Sequence, residues 1–282
     1  MDALLADVRY GLRLLRKSPG FTVIAIATLA LGIGANTAIF STVDALLIRA
    51  LPYAEPDRIV MVWEDAHEAG FPRNTPAPGN YHDWARLNHA FSGIAATRGA
   101  FANLTGDGVP EQVVGRAVTP NFFSVLGVKP VVGRTFTDDE DRSSAQVVLI
   151  SFGLWQRRYG GDRAILGKTM LMNGNRYEVI GVMPRGFVFR NRDLDYWIPT
   201  SFSPEAAAMR LSHYLNVVAR LAPGVALEAA KDDLRRVDEA LQRQYPIVNR
   251  NIRTVLVPIK EELLGNTRVE LIVLMEIGRA HV

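Results

Sequence analysis

The chain has 282 residues, 48 % of them hydrophobic and 22 % charged, with a formal net charge of +3, which suits one large or two modest domains with ample core. It contains no cysteine, so disulfide scaffolds, thiolate metal sites and thiol nucleophiles are excluded. Basic and acidic side chains nearly balance between residues 21 and 266, so the positive surplus does not describe a nucleic-acid-binding surface.

The opening stretch DALLADVRYGLRLLRK places Leu4, Val8, Leu12 and Leu15 on one helical face, with Arg9, Arg13 and Arg16 turned elsewhere. This predicts a short amphipathic helix over residues 1–20 lying in a membrane interface, ended by Ser18-Pro19-Gly20. Residues 21–43, FTVIAIATLALGIGANTAIFSTV, then run without a charge. As a helix they reach about 35 Å, enough to cross a hydrocarbon core of about 30 Å. A cleavable signal peptide is the rival reading. Its one nearby A-x-A match, Ala25-Ile26-Ala27, comes only four residues into the apolar run, too early to end an h-region. An uncleaved transmembrane helix is therefore expected. Arg9, Arg13, Arg16 and Lys17 precede Phe21 closely, while Arg49 and Arg58 are sparser beyond Val43. That asymmetry places the N-terminus in the cytoplasm and everything after Asp44 outside the membrane. Ala30, Gly34 and Ala38 recur every four residues, a small-residue stripe on which another helix can pack closely, with Asn36 and Thr37 beside it for hydrogen bonds.

The outer part, residues 44–266, reads as α+β. RIVMVW (58–63), a helix around NYHDWARLNHAF (80–91) and an extended stretch near 94–104 form one β-α-β unit. HYLNVVARL (213–221), a helix carrying Leu227, Ala230, Leu234, Val237 and Leu241 at spacings of three and four, and IRTVLVPI (252–259) form a second. Two such units give a ferredoxin-like layer of helices on a sheet. Between them, about 110–205, the signals are mostly β, as expected of an inserted subdomain: EQVVGRAV, AQVVLI, and MLMNGNRYEVIGV with the hairpin signal Asn173-Gly174. Thr137-Asp138-Asp139-Glu140 has the spacing of a capping box.

Few motifs promise chemistry. GGDRAILGKT (160–169) resembles a phosphate-binding loop, but the residue five before Gly167 is Asp162, and the flanks read helix before and hairpin after. A phosphate loop needs a strand before it and a helix N-terminus after it. The histidines at 67, 82, 89, 213 and 281 form no HExxH pair, and no G-x-S-x-G elbow surrounds any serine. No catalytic, cofactor-binding or metal-binding residues are expected.

Long stretches nevertheless resemble a known family. VRYGLRLLRKSPGFTVIAIATLALGIGANTAIFSTVDALLIRALPYAEPDRIV is similar to the opening of MacB-type ABC transporter permeases, nearest to the duplicated orphan permeases typical of acidobacteria. TPNFFSVLGVKPVVGRTFTDDED, VVLISFGLWQRRYGG, ILGKTMLMNGNRYEVIGVMPRGF and YWIPT resemble the MacB-like periplasmic core domain. The resemblance implies a permease that is not itself an enzyme, with a separate ABC ATPase subunit whose motion the periplasmic domain relays to export or efflux. It also implies a homodimer or paired permease, and makes Arg9, Arg13, Arg16 and Lys17 the candidate ATPase contact. The family continues into further membrane helices. Here Leu271–Met275 is followed by Glu276, Arg279 and His281, each charge costing roughly 3 kcal/mol at a helix centre, so residues 267–282 read as the start of a truncated second transmembrane segment. The alternatives are a singly anchored periplasmic sensor or ligand-binding module, and an anchored hydrolase.

Overall fold

The computed structural model describes residues 10, 13, 15–43, 51–106, 108–190 and 194–264. The chain forms two compact units, one containing the N-terminal segment and one spanning Leu51–Leu263. Arg9 and the expected second segment over 267–282 lie outside the described residues.

In the first unit, helix α1 runs Pro19–Val43, 25 residues without a charged group. Proline suits its start, since the missing N–H would have had no partner in the first turn. The hydroxyls of Thr22, Thr28 and Thr37 donate to the carbonyls of Ser18, Ile24 and Ile33, four residues back, so each is satisfied without solvent. Phe21, Ile24, Ile26, Leu31 and Ile33 are all exposed around the helix, which makes α1 apolar on every side rather than amphipathic. Among the described residues no helix is long and apolar enough to cross a membrane.

The second unit is built on an 11-stranded sheet. Strand β1 (Ile59–Ala66) is followed by β2 (Phe71–Asn74), helix α2 (Pro78–Leu87) and the long strand β3 (Phe91–Thr105). Next come β4 (Glu111–Val118), α3 (Phe122–Leu126), β5 (Val132–Gly133), α4 (Asp138–Arg142) and β6 (Val147–Ile150). Then α5 (Phe152–Tyr159), β7 (Thr169–Met172), β8 (Asn175–Val182), β9 (Tyr196–Pro199) and α6 (Pro204–Ala208) complete the middle of the chain. β10 (Asn216–Leu221), α7 (Leu227–Gln244), β11 (Arg253–Pro258) and α8 (Ile259–Leu264) close it.

The four strands β11-β1-β10-β3 lie side by side, each pair antiparallel. This is the order produced when β1-α2-β3 and β10-α7-β11 interleave. β1 sits inside the sheet, so its first six residues are buried on both faces: Val60 and Val62 pack under the helices, Ile59, Met61 and Trp63 on the other side. In α7, Ala230, Leu234, Val237 and Leu241 are all buried against that first face, each large side chain contributing roughly 2 kcal/mol of burial. Helix α2 ends at Leu87 rather than near residue 91, because the Asn88 amide donates to the Trp84 carbonyl at 2.7 Å and turns the chain extended.

Residues between β3 and β10 extend the same sheet. β4 pairs antiparallel with β3 from Thr97↔Val118 to Leu104↔Glu111, and β9 pairs parallel with β4. β6, β8 and β5 follow outward. One apolar cluster joins Met61 and Trp63 of β1 to Phe122, Phe123 and Trp197, so the inserted stretch shares its core with the first frame. Its local signals take the expected forms. Asn173 and Gly174 both have positive φ, 49° and 81°, and close the two-residue turn between Met172 and Asn175. Thr137 and Glu140 form the reciprocal capping box of α4, reinforced by Arg134, whose guanidinium donates to both Glu140 carboxylate oxygens at 2.6 and 2.9 Å.

Candidate functional site

On α1, Ala30 and Gly34 are exposed, and a Cβ built on Gly34 would meet nothing within 4 Å. The small-residue face is therefore open to an approaching helix among the described residues. Ala38 continues the helix, but its side chain is outside the described ones. Arg13, Arg16 and Lys17 are exposed.

GGDRAILGKT connects a helix to a strand. α5 ends on Gly160, Asp162 caps a short 3-10 turn by accepting from Ala164 N at 2.9 Å, and the chain enters β7 at Thr169. The indole of Trp155 donates to the Asp162 carbonyl at 2.9 Å, fixing the segment against its own helix. The order is the reverse of a phosphate loop. Among the described residues no group of three His, Asp or Glu side chains is placed to hold a metal.

The residues the fold does bring together are Glu64, Asn80, Asp83, Arg210, His213 and Asn249. Glu64 is fully buried at the far end of β1. Its Oε1 accepts from Ala77 N at 3.1 Å and Asn80 Nδ2 at 2.7 Å. Both donors stand at the start of α2, where a carboxylate is favoured by the helix dipole. No side chain caps α2; Gly79 N instead donates to the Met209 carbonyl at 2.8 Å. The Asn80 Oδ1 accepts from Arg210 Nη1 at 2.7 Å and from Asn249 Nδ2 at 2.9 Å. Arg210 also binds Asp83 and lies 3.6 Å from the ring centre of Tyr245. The network thus ties β1, α2, the chain leaving the insertion and the chain leaving α7.

His213 Nδ1 stands 2.8 Å from Glu64 Oε2 and 3.2 Å from the Thr75 carbonyl. Glu64 Oε2 nonetheless receives no well-aligned hydrogen bond, so the contact is an ion pair by proximity, with the aligned bond going to Thr75. The Glu64 carboxylate raises the His213 pKa above its ordinary 6.5. A second buried acid, Asp238 on α7, accepts from Thr254 N and Oγ1 of β11, both at 2.6 Å, and burial pushes its pKa up to about 6. Both folded-state values are raised, so both groups contribute stability at low pH that is lost as pH rises. For Asp238 the loss falls between 3.8 and about 6, and for His213 it falls above 6.5. Thermal midpoints of the domain are therefore expected to fall as pH rises above 6.5, and His213→Gln to flatten that decline. A parallel decline in the variant would remove His213 from the account.

Sequence reasoning did not single out this cluster. Its one local signal is a carboxylate ending the otherwise apolar run IVMVW.

An uncharged helix followed in the chain by a split β-α-β frame with a long insertion is a mixed α/β architecture. The chain belongs to the family of MacB-like periplasmic core domains, whose sequence model matches residues 22–237. The protein named Probable syringafactin export ATP-binding/permease protein SyfD, from Pseudomonas syringae pv. syringae, is 29 % identical over 133 residues, 45 % of this chain and 19 % of that protein. The chain thus matches about a fifth of the length of such relatives. Two crystal structures share the fold. A domain of a Porphyromonas gingivalis protein named as a permease aligns with a TM-score of 0.57 at 19 % identity, covering 73 % of this chain and 92 % of that one. The periplasmic region of MacB from Actinobacillus actinomycetemcomitans aligns at 0.55 and 14 %, covering 78 % and 94 %.

Proposed function

We propose that the chain is part of a membrane permease of an ABC exporter. In this reading α1 crosses the inner membrane with its N-terminus in the cytoplasm, and the unit Leu51–Leu263 works in the periplasm. The periplasmic unit relays motion driven by a separate ATPase to export or efflux, and does no covalent chemistry itself. Ala30, Gly34 and Ala38 pack against a neighbouring helix, from a second copy or a paired permease, and Arg9, Arg13, Arg16 and Lys17 face the ATPase side. The observation that carries the reading is the family match, which runs from within the uncharged helix through most of the mixed domain. The network around Glu64 supports a mechanical role: it ties the end of the insertion to the first β-α-β unit, so force on one is passed to the other. Fold alone assigns no function, and the relay is inferred from that connectivity.

The absence of native cysteine makes the orientation directly measurable. A thiol introduced by Ile247→Cys, at a site 90 % exposed, is expected to react with a membrane-impermeant maleimide in cells whose outer membrane is permeabilised. One introduced by Tyr10→Cys is expected to react only after lysis. The opposite pattern, or protection of both until lysis, would reject the arrangement.

A further inference from the structure

Strands β3, β4 and β9 set Arg98 beside Ala117, Ala100 beside Gly115, and then Gly115 beside Tyr196 and Ala117 beside Ile198. Residues paired across strands, and those two apart along a strand, share a face, so all six lie on one side of the sheet. On that side β3 carries Ile94 and Ala96 in the apolar cluster with Leu234 of α7, and Ala102 in the cluster with Leu154 of α5. Between these two covered regions lie cavities of about 520 and 360 Å³, and both border Arg98. Each is within the range of ligand pockets, roughly 300–1,000 Å³.

Two polar groups in this groove have no partner. Arg98 is half-buried and makes no hydrogen bond or ion pair among the described residues. Tyr196 is 1 % exposed. Its ring lies over Gly115, where an added Cβ would fall 2.5, 2.6 and 2.6 Å from Cε1, Cδ1 and Cζ. The ring therefore crosses β4, and its hydroxyl is carried toward β3. That hydroxyl has no hydrogen-bond partner among the described residues and is not sealed from solvent. Burial pushes its pKa up to about 12, so it is a donor at neutral pH, and the Arg98 charge is near enough to pull the value back. A cation and a hydroxyl left unpaired in a concavity favour an anion that takes both. Beside the groove, Asp141 is committed to its own neighbours, accepting from Thr200 Oγ1 at 3.1 Å and Ser201 N at 2.7 Å. The larger cavity is walled by Phe202 and Tyr214, and the Phe202 ring is steadied edge-on by His82 at 5.3 Å.

We propose that this groove binds an aromatic monocarboxylate, its oxygens on the Arg98 guanidinium and the Tyr196 hydroxyl, its ring between Phe202 and Tyr214. One planar guanidinium and one hydroxyl donor match the two oxygens of a carboxylate, whereas a phosphate dianion would meet a single cation. The site is independent of the transporter reading, and either can fail without the other.

The test is a fluorine NMR titration of the full chain in detergent micelles with 3-fluorotyrosine at its 8 tyrosines, the Tyr214 resonance being the one lost in Tyr214→Phe. N-acetyl-phenylalanine is expected to shift that resonance saturably. N-acetyl-phenylalaninamide, which enters micelles at least as readily, and inorganic phosphate should leave it in place. Arg98→Gln is expected to weaken binding about tenfold, the usual effect of losing a charge-assisted contact. Its thermal midpoint should match the parent's, because Arg98 bonds to no described residue. Arg98→Lys, which keeps the charge and loses the fork, should weaken binding less. No saturable shift with the wild-type chain, an equal shift with the amide or with phosphate, or undiminished affinity in Arg98→Gln overturns the proposal.

Discussion

Glu64→Ala is expected to destabilise the domain Leu51–Leu263 by about 3 kcal/mol, measured as a drop in thermal midpoint of about 6–12 °C for a unit of this size. Two effects compete for the cause. One is the stranded charge of His213, which stands 2.8 Å from the lost carboxylate. That side chain is 23 % exposed and can release its proton, so its charge is not trapped. The other is the loss of an acceptor from two buried donors, Ala77 N and Asn80 Nδ2, each costing about 1–3 kcal/mol when unpaired. The second effect dominates. Glu64→Gln separates them: its amide oxygen can still accept from both donors, so the loss should be nearer 1 kcal/mol while the decline in stability above pH 6.5 disappears. An alanine variant melting within a degree or two of the parent would mean that the network does not hold the domain together.

The same residues show what a sequence makes visible. Helix α7 is legible because its core positions Ala230, Leu234, Val237 and Leu241 lie within three turns of one another, and the period carries the face. The Asn173-Gly174 turn and the Thr137–Glu140 capping box are legible because each is completed within four residues. The cluster around Glu64 has no such period. Asn80 meets Arg210 and Asn249 across 130 and 169 residues, and nothing local in NYHDW distinguishes Asn80 from a surface amide. The insertion was legible as mostly β but not as a continuation of the sheet, because that depends on the parallel pairing of β4 with β9, a strand of four residues. Local chemistry identified elements, and long-range pairing made the sites.

Gly133→Ala is the second substitution expected to act strongly, because the obstacle is backbone. Gly133 sits in the edge strand β5 opposite Gly181 of β8, with φ at +81°. For an alanine that conformation alone costs about 1–2 kcal/mol. A Cβ would also fall 2.1 Å from the Ile180 carbonyl oxygen and 2.7 Å from the Gly181 Cα, and no side-chain rotation relieves either contact. β8 cannot retreat, because its other edge is paired with β6. The strand that gives way must be β5, which is held at its ends by Val131 N to the Val182 carbonyl at 2.8 Å and Arg134 N to the Ile180 carbonyl at 3.0 Å. Losing those bonds also frees Arg134 from its place beside Glu140, so the effect should spread to the α4 capping box. A total near 3 kcal/mol is expected, with hydrogen-exchange protection lost at Val131 and Arg134 but kept in β1 and β10. Gly99→Ala is the control: on β3 its Cβ meets nothing within 4 Å, so it should be neutral or stabilising by about 0.5 kcal/mol. Equal stability of the two variants, with Arg134 N still protected in the first, would show that β5 is not held against β8 as described.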